Sequence, residues 1–244
     1  MKLGNKLSEV KNPQLLIQEL DKAVKDLKNI QDSKKLIKPE LILNEVGTGF
    51  YTVYYGNGSV FTELYYENFE KHGLVKSYHY GPAPENPDKL TDLSLLSKSY
   101  GSLRLECNYS HNVYHGYMKR YHNNGKLALE VDIIEGEKDG IYKDYYESGN
   151  LRHLEYYSLG KKHGILKTYY DRAPSGRFLK SISECIDGKF EGPCIYYLIN
   201  GVLQKEGYYK EDKVHGLCKY YNAMGILIKT KLYEHGECIE EKDI

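Results

Sequence analysis

The sequence predicts a mainly β protein: an elongated, single-layer antiparallel sheet of about seven β-hairpin repeats, with one N-terminal α-helix. The first observation is a dipeptide ending in glycine that recurs every 24 residues once two insertions are removed. The second is a tyrosine that stands five residues after every one of these glycines. A short unit copied this often indicates a repeat array whose neighbouring units share one continuous core.

The repeat is numbered from its glycine as position 0, and apolar residues recur at positions +1, +5, +11 and +17. The repeat glycines are Gly49, Gly73, Gly116, Gly140, Gly164, Gly192 and Gly216. Position +1 holds Phe50, Leu74, Tyr117, Ile141, Ile165, Pro193 and Leu217. Position +5, the predicted structural core of the repeat, holds Tyr54, Tyr78, Tyr121, Tyr145, Tyr169, Tyr197 and Tyr221. Position +11 holds Val60, Leu103, Leu127, Leu151, Phe178, Leu203 and Leu227, and position +17 holds Tyr66, Tyr109, Ile133, Tyr157, Cys185, Tyr209 and Tyr233.

Each repeat contains two apolar runs separated by Asn-Gly, Ser-Gly or Met-Gly in most copies, which predicts two strands joined by a tight turn. All the fixed positions have odd numbers. Because successive side chains of a strand point to opposite faces, we expect these rows to share one face of a sheet of about fourteen strands. Position +3 has the same parity but carries lysines, whose stems lie along tyrosine rings. These are Lys76, Lys119, Lys143, Lys167 and Lys219.

The chain divides into residues 1–46, which do not follow the repeat, the repeats at 47–239 and a charged tail at 240–244. Asn12 and Pro13 are typical of a helix start, and apolar residues follow at spacings of four and three. We therefore expect an amphipathic helix within residues 12–31. It would cover the open edge of the first hairpin, or alternatively bind a partner or form a coiled coil.

Two insertions, at residues 81–99 and 172–175, fall in the same turn of the second and fifth repeats. They should project from the same long side of the sheet. Leu93, Leu95 and Leu96 place apolar side chains on the longer insertion, which makes it a candidate partner contact. A tolerated surface insertion explains it equally well.

Composition argues against several classes of protein. The 34 basic and 34 acidic residues are dispersed, so no basic region predicts nucleic-acid binding. No apolar stretch is long enough to span a membrane, no cleavable leader is recognisable, and we expect the cytoplasm as the location. The five cysteines lack metal-type or redox spacing and are interpreted as reduced packing residues.

Neither metal binding nor catalysis is predicted. Histidine precedes the repeat glycine in four copies, but equivalent residues of adjacent hairpins lie about 10 Å apart, too far to share a metal ion. These histidines are interpreted as turn residues. There is no phosphate-binding loop, nucleophile elbow or zinc-protease motif, and the repeat glutamates behave as surface residues. We therefore expect no enzyme activity and no cofactor.

The segments Asp-Gly-Ile-Tyr-Lys-Asp-Tyr-Tyr-Glu-Ser-Gly-Asn-Leu at 139–151 and His-Gly-Ile-Leu-Lys-Thr-Tyr-Tyr at 163–170 carry a family resemblance. The repeat resembles MORN repeats, in particular the variant found in bacterial antitoxin or immunity proteins of the YwqK type. The resemblance covers about residues 47–236, although the tryptophan that many such repeats carry beside the tyrosine is absent. It implies a protein-binding inhibitor that occupies a cognate toxin. The alternative implied by the family is a scaffold or membrane-peripheral protein, with membrane-surface contact not favoured by the balanced charge.

The lysines at +3 suggest where a protein partner docks. Lys119, Lys143 and Lys167 lie on three successive hairpins and share a face with the tyrosines in the predicted sheet. Their spacing suits an acidic protein surface better than one small anion. The alternative is that they only keep the sheet hydrated.

Overall fold

The computed structural model describes residues 40–44, 46–83, 100–171 and 178–244, with the backbone alone described for 40–43. The predicted N-terminal helix, the leucines at 93, 95 and 96 and the insertion at 172–175 lie outside the described residues. No helix occurs among the residues that are described.

The described residues form one open antiparallel sheet of 18 strands, which confirms the prediction of a mainly β, single-sheet protein. The first nine strands are β1 (Glu40–Leu43), β2 (Gly49–Tyr54), β3 (Val60–Glu67), β4 (Glu70–Tyr78), β5 (Leu103–Ser110), β6 (Val113–Tyr121), β7 (Leu127–Ile134), β8 (Glu137–Tyr145) and β9 (Leu151–Ser158). The remaining strands are β10 (Lys161–Lys162), β11 (Gly164–Tyr169), β12 (Leu179–Ile186), β13 (Lys189–Phe190), β14 (Gly192–Tyr197), β15 (Leu203–Lys210), β16 (Lys213–Tyr221), β17 (Leu227–Glu234) and β18 (Glu237–Asp243). Apart from two interrupted strands, each strand pairs with its neighbours in chain order. Strands β10 and β11 are two pieces of one interrupted strand beside β9, and β13 and β14 are two pieces of another beside β12.

Two elements extend the sheet beyond the predicted repeats. Strand β1 lies in the segment predicted as helix and linker, and it pairs antiparallel with β2. Strand β18 runs to Asp243 and pairs with β17, so residues 240–243 of the predicted tail belong to a strand.

Within each repeat, the leading strand carries the repeat glycine and the trailing strand follows it. The connection between successive repeats is a two-residue turn in which both residues have positive φ, as at Asn68 (51°) and Phe69 (66°) or Glu211 (50°) and Asp212 (67°). This conformation is that of a type I′ turn, which suits the twist of paired strands. Several of these turns contain no glycine, so the sequence pattern does not identify them.

His72, His115 and His215 lie inside the leading strands β4, β6 and β16, so the interpretation of these histidines as turn residues is wrong. His163 lies between β10 and β11, the two pieces of one interrupted strand. Gly73 in β4 has φ +73° and Gly216 in β16 has φ +74°, and a Cβ at either position would meet nothing within 4 Å. The glycine is therefore required by the backbone conformation and not by lack of space.

The expectation of one common face for the odd positions is also wrong. Gly49 pairs with Tyr66, Phe50 with Tyr65 and Tyr51 with Leu64, so the position numbers of partners add to 17. An odd position of the leading strand therefore lies beside an even position of the trailing strand, because directly paired residues share a face. We call the face with leading positions −2, 0, +2, +4 and +6 and trailing positions +13, +15 and +17 the inner face. The outer face has leading positions −1, +1, +3 and +5 and trailing positions +14, +16 and +18.

A register shift in each hairpin explains the tyrosine pairing. The tyrosine at +5 pairs with the apolar residue at +11, and one extra residue, at +12, bulges from the trailing strand. In the fifth repeat Tyr169 pairs with Leu179, so the assignment of Phe178 to position +11 is wrong.

The core lies mainly on the inner face. Its buried members at positions +2, +15 and +17 are Tyr51, Leu64, Tyr66, Val75, Cys107, Val131, Ile133, Leu166, Cys185, Cys194 and Cys218. Of the tyrosines at +5, Tyr54 and Tyr169 are buried, and the other five are half-buried on the outer face. The row at +1, predicted to be packed, is largely exposed.

Four cysteines are buried free thiols in this core, as the packing interpretation requires, whereas Cys238 is exposed on β18. Burial raises the pKa of Cys107 to about 12. Gly207 stands at the core position between two of the cysteines, and a Cβ there would lie 2.5 Å from the Cys218 sulfur and 3.6 Å from that of Cys194.

Candidate interaction surfaces

The outer face carries a ladder of alternating charge. Strand pairing sets the glutamates at +14 directly opposite the lysines at +3 of the neighbouring strands, an arrangement that stabilises antiparallel pairs. Along six successive strands, the ladder reads Glu63, Lys76, Glu106, Lys119, Glu130 and Lys143. Glu206 and Lys219 form a further pair near the C-terminus.

The tyrosine at +5 takes part in this ladder. Glu130 accepts hydrogen bonds from Lys143 Nζ at 2.9 Å and from the Tyr145 hydroxyl at 2.9 Å. Glu206 accepts equivalent bonds from Lys219 at 2.9 Å and Tyr221 at 2.8 Å. The lysine hydrogen bond is the main reason that the pKa of Glu130 lies below its ordinary value, although burial acts in the opposite direction.

The three lysines predicted as a docking surface do lie in one row of the outer face. Lys119 packs over the Tyr117 ring at 5.3 Å, and Lys143 is ion-paired with Glu130. Lys167 lies opposite Leu154 and Ile182, without a carboxylate within 4.0 Å among the described residues. The structure therefore brings the lysines together but neutralises the middle one.

Beside the ladder, the +1 side chains form what we call the apolar row. Phe50 is 63 % exposed, Ile165 48 % and Leu217 52 %, and Leu74 and Ile141 are also exposed. The row is interrupted by Tyr117, whose hydroxyl donates to Glu106, and by the proline of the sixth repeat. The sequence identified the row as apolar but could not show that it faces solvent.

Two hollows lie along the apolar row. One, of about 400 Å³, is lined by Phe50 and Leu74 together with Leu64 and the ladder residues Glu63 and Lys76. The other, of about 450 Å³, is lined by Ile165, Tyr156 and Lys167 among others. Both can accept apolar side chains from an opposing surface.

The inner face has a different feature, a cleft of about 620 Å³ near the hairpin turns of the second to fourth repeats. We call it the arginine cleft. Arg104 and Arg152 stand at the bulged +12 positions, and Arg120 stands at +4. The remaining charged and polar lining comes mainly from His79, His122, Asn123, Tyr142 and Asp144.

Asp144 lies in this cleft, at a position where the other repeats carry no carboxylate. It is 5 % exposed and accepts hydrogen bonds from Arg152 Nε and Nη2 at 3.1 and 3.0 Å. His153 Nδ1 lies 2.9 and 3.0 Å from its two oxygens. Burial alone would raise the pKa of Asp144, but the hydrogen bonds from His153 and Arg152 outweigh burial and hold that pKa well below its usual range. Sequence reasoning missed this group, because the only signal was a lone carboxylate at a variable position.

The side chains at +6 join successive repeats. The hydroxyls of Tyr55, Tyr146 and Tyr170 each donate at 2.9 Å to the backbone carbonyl of the +5 tyrosine in the next repeat. His79 and His122 make the same bond through Nε2 at 3.2 and 3.0 Å. These five bonds fix the turn ends of the first six repeats relative to each other.

Within the described residues, no group of three His, Cys, Asp or Glu side chains is placed to hold a metal ion. No helix there is long and apolar enough to cross a membrane.

In a comparison with known families, two of the repeats match a family. Residues 114–133 and 138–159 match the family described as MORN repeat variant. Each match begins two residues before a repeat glycine, so the matched segments coincide with the third and fourth repeats as the structure defines them. No curated protein matches the chain.

Proposed function

We propose that this MORN-type repeat protein is a non-enzymatic binding protein that neutralises a cognate toxin by direct contact, as an antitoxin or immunity protein. The observation that carries the protein-binding part is the apolar row on the outer face. Phe50 with Leu74, and Ile141 with Ile165, place exposed apolar side chains on adjacent repeats. Clustered exposed apolar side chains mark interaction surfaces, whereas scattered ones need no explanation. The antitoxin part is supported by the resemblance of the repeat to YwqK-type proteins.

The geometry of the row defines the partner surface that would fit it. Equivalent side chains of adjacent repeats lie about 10 Å apart, because two strand spacings of about 4.8 Å separate them. A partner would seat apolar side chains in the hollows beside Phe50 and Ile165. Lys119, Lys143 and Lys167 lie beside the row, where rim charges set association rate and salt dependence more than affinity. We expect this encounter to take place in the cytoplasm.

The alternative is a MORN-type scaffold or membrane-peripheral role. It is favoured by one observation, the excess of cations on the inner face around the arginine cleft. A captured partner that is harmless to cells would favour this alternative over an antitoxin.

A growth assay with the captured partner tests the proposal. The partner is first identified as the protein that co-purifies with the chain from native lysate in equal amount. It is then expressed alone, which should arrest growth. Co-expression of the wild-type chain should restore growth, and the double variant Ile141→Asp, Ile165→Asp should not, because two charges would enter the apolar contact. Ile239→Asp is the matched control, an exposed isoleucine on β18 outside the row. Full rescue by the double variant would rule out the apolar row as the docking surface.

A further inference from the structure

We infer that the arginine cleft is a second binding site, which takes an acidic peptide segment and holds its carboxylates with Arg104 and Arg120. The cleft lies on the inner face, opposite the apolar row, and the site therefore goes beyond the proposed function. It stands or falls independently of what docks on the outer face.

The cleft presents guanidinium groups that have no carboxylate partner. Arg104 packs over the Phe61 ring at 5.4 Å, and Arg120 lies on the adjacent strand, where it pairs with Leu105. No carboxylate of the described residues lies within 4.0 Å of either guanidinium. Both groups line the same cleft. A guanidinium offers five donors in a planar fork that matches the two oxygens of a carboxylate.

The Asp144–Arg152 pair shows how a carboxylate is held in this cleft. Two oxygens of one carboxylate meet two nitrogens of one guanidinium at 3.0 and 3.1 Å, with His153 completing the set. Such two-point, charge-assisted pairs are among the stronger hydrogen-bonded contacts in proteins. Arg104 and Arg120 offer the same chemistry to a carboxylate from outside the chain.

The surrounding inner face is positive, although the whole chain has zero net charge. In the second to fifth repeats its cations are Lys71, Arg104, Arg120, Lys138, Arg152, Lys162 and Lys180. The carboxylates at inner-face positions of the same repeats are Asp144 and Glu155, and both are already ion-paired. The repeat glutamates instead lie on the outer face. An acidic segment would therefore meet a positive field along its whole length.

The shape of the cleft favours a peptide over a small anion or a flat surface. Its volume of about 620 Å³ exceeds what one small anion needs. The cations also continue beyond it, because Lys180 repeats the +12 position of Arg152 one repeat further on and lies 5.6 Å from the Tyr170 ring. Successive carboxylates of an extended peptide can follow this row. Arginine and tyrosine are in addition among the residue types enriched in the hot spots that carry most of the binding energy at protein interfaces.

Fluorescence anisotropy with fluorescein-labelled hexaglutamate tests the site on the full chain. We expect saturable binding that weakens with added salt. The double variant Arg104→Gln, Arg120→Gln should lower the affinity at least tenfold. Lys189→Gln, Lys213→Gln removes the same charge at two exposed positions outside the cleft and should change it less than twofold. Urea unfolding midpoints establish that both variants are folded, and Arg104→Lys, Arg120→Lys should give an intermediate loss because it keeps the charge but removes the fork.

Several results would overturn the assignment. Absence of saturable hexaglutamate binding would do so, as would equal losses in the arginine and lysine variants. A loss confined to the lysine variant would place the acidic docking surface outside the cleft. Binding of a six-nucleotide oligothymidylate, or of phosphatidylserine vesicles, more tightly than hexaglutamate would identify a phosphate-bearing ligand in place of an acidic peptide.

Discussion

At the scale of single residues, Asp144 has the largest predicted effect on stability. Replacing it with asparagine should lower the free energy of unfolding at neutral pH by about 2 kcal/mol, because hydrogen bonds between charged groups contribute about 1.5–3 kcal/mol. Arg152 is 46 % exposed at its side chain and can be hydrated afterwards, which limits the loss. Urea denaturation measures the difference. Asp132→Asn, at an exposed outer-face position, is the control and should have little effect.

The same substitution predicts a pH dependence. The folded pKa of Asp144 lies below the value of about 3.9 expected in the unfolded chain. Its contribution is therefore complete above that pH and is lost as the pH falls through the folded pKa. The difference in unfolding free energy between wild type and Asp144→Asn should accordingly shrink on acidification. A difference that stays constant down to acid unfolding would show that the ion pair is not its source.

At the scale of elements, the bonds from +6 side chains to the next repeat should stabilise the array. Tyr146→Phe removes one hydroxyl that donates to the Tyr169 carbonyl and should cost about 1 kcal/mol of unfolding free energy. Tyr208→Phe is the matched control on an exposed ring and should cost little. Equal unfolding midpoints for the two variants would show that the bond between repeats contributes nothing.

The sequence was sufficient to predict the strands but not their faces. Glycine and tyrosine at a fixed period, with apolar runs between them, specify a hairpin wherever they occur. Which face a residue occupies depends on the number of residues in the turn and on the bulge at +12. The number of turn residues cannot be read from the sequence at Asn68-Phe69 or Glu211-Asp212, because these turns lack the usual glycine. The bulge cannot be read from the sequence pattern either.

Because the faces could not be assigned from the sequence, the candidate sites could not be predicted either. Phe50 and Ile165 were recognised as apolar but assigned to the packed face. The reason is that odd-numbered positions were expected to lie on the same face in both strands of a hairpin. The arginine cleft depends on the bulge that turns Arg152 towards Asp144, two residues eight positions apart in sequence that no motif connects. Local pattern thus predicts the repeat well, whereas the sites depend on register.

At the scale of the whole molecule, the balanced charge conceals two unlike faces. The outer face combines exposed apolar side chains with a Glu–Lys ladder, and the inner face combines the core with an excess of cations. The dispersal of charge along the sequence had argued against any basic surface. Alternation of side chains sorts those charges, because neighbouring residues of a strand go to opposite faces. A repeat sheet can therefore present two separate binding surfaces.

The most direct test of the central claim, that the outer face binds a protein partner, is isothermal titration calorimetry of the purified chain with the partner isolated from native lysate. We predict binding at equal stoichiometry, with the affinity reduced at least a hundredfold by Ile141→Asp, Ile165→Asp and unchanged by Ile239→Asp. The same affinity for the wild-type chain and the double variant would contradict the claim.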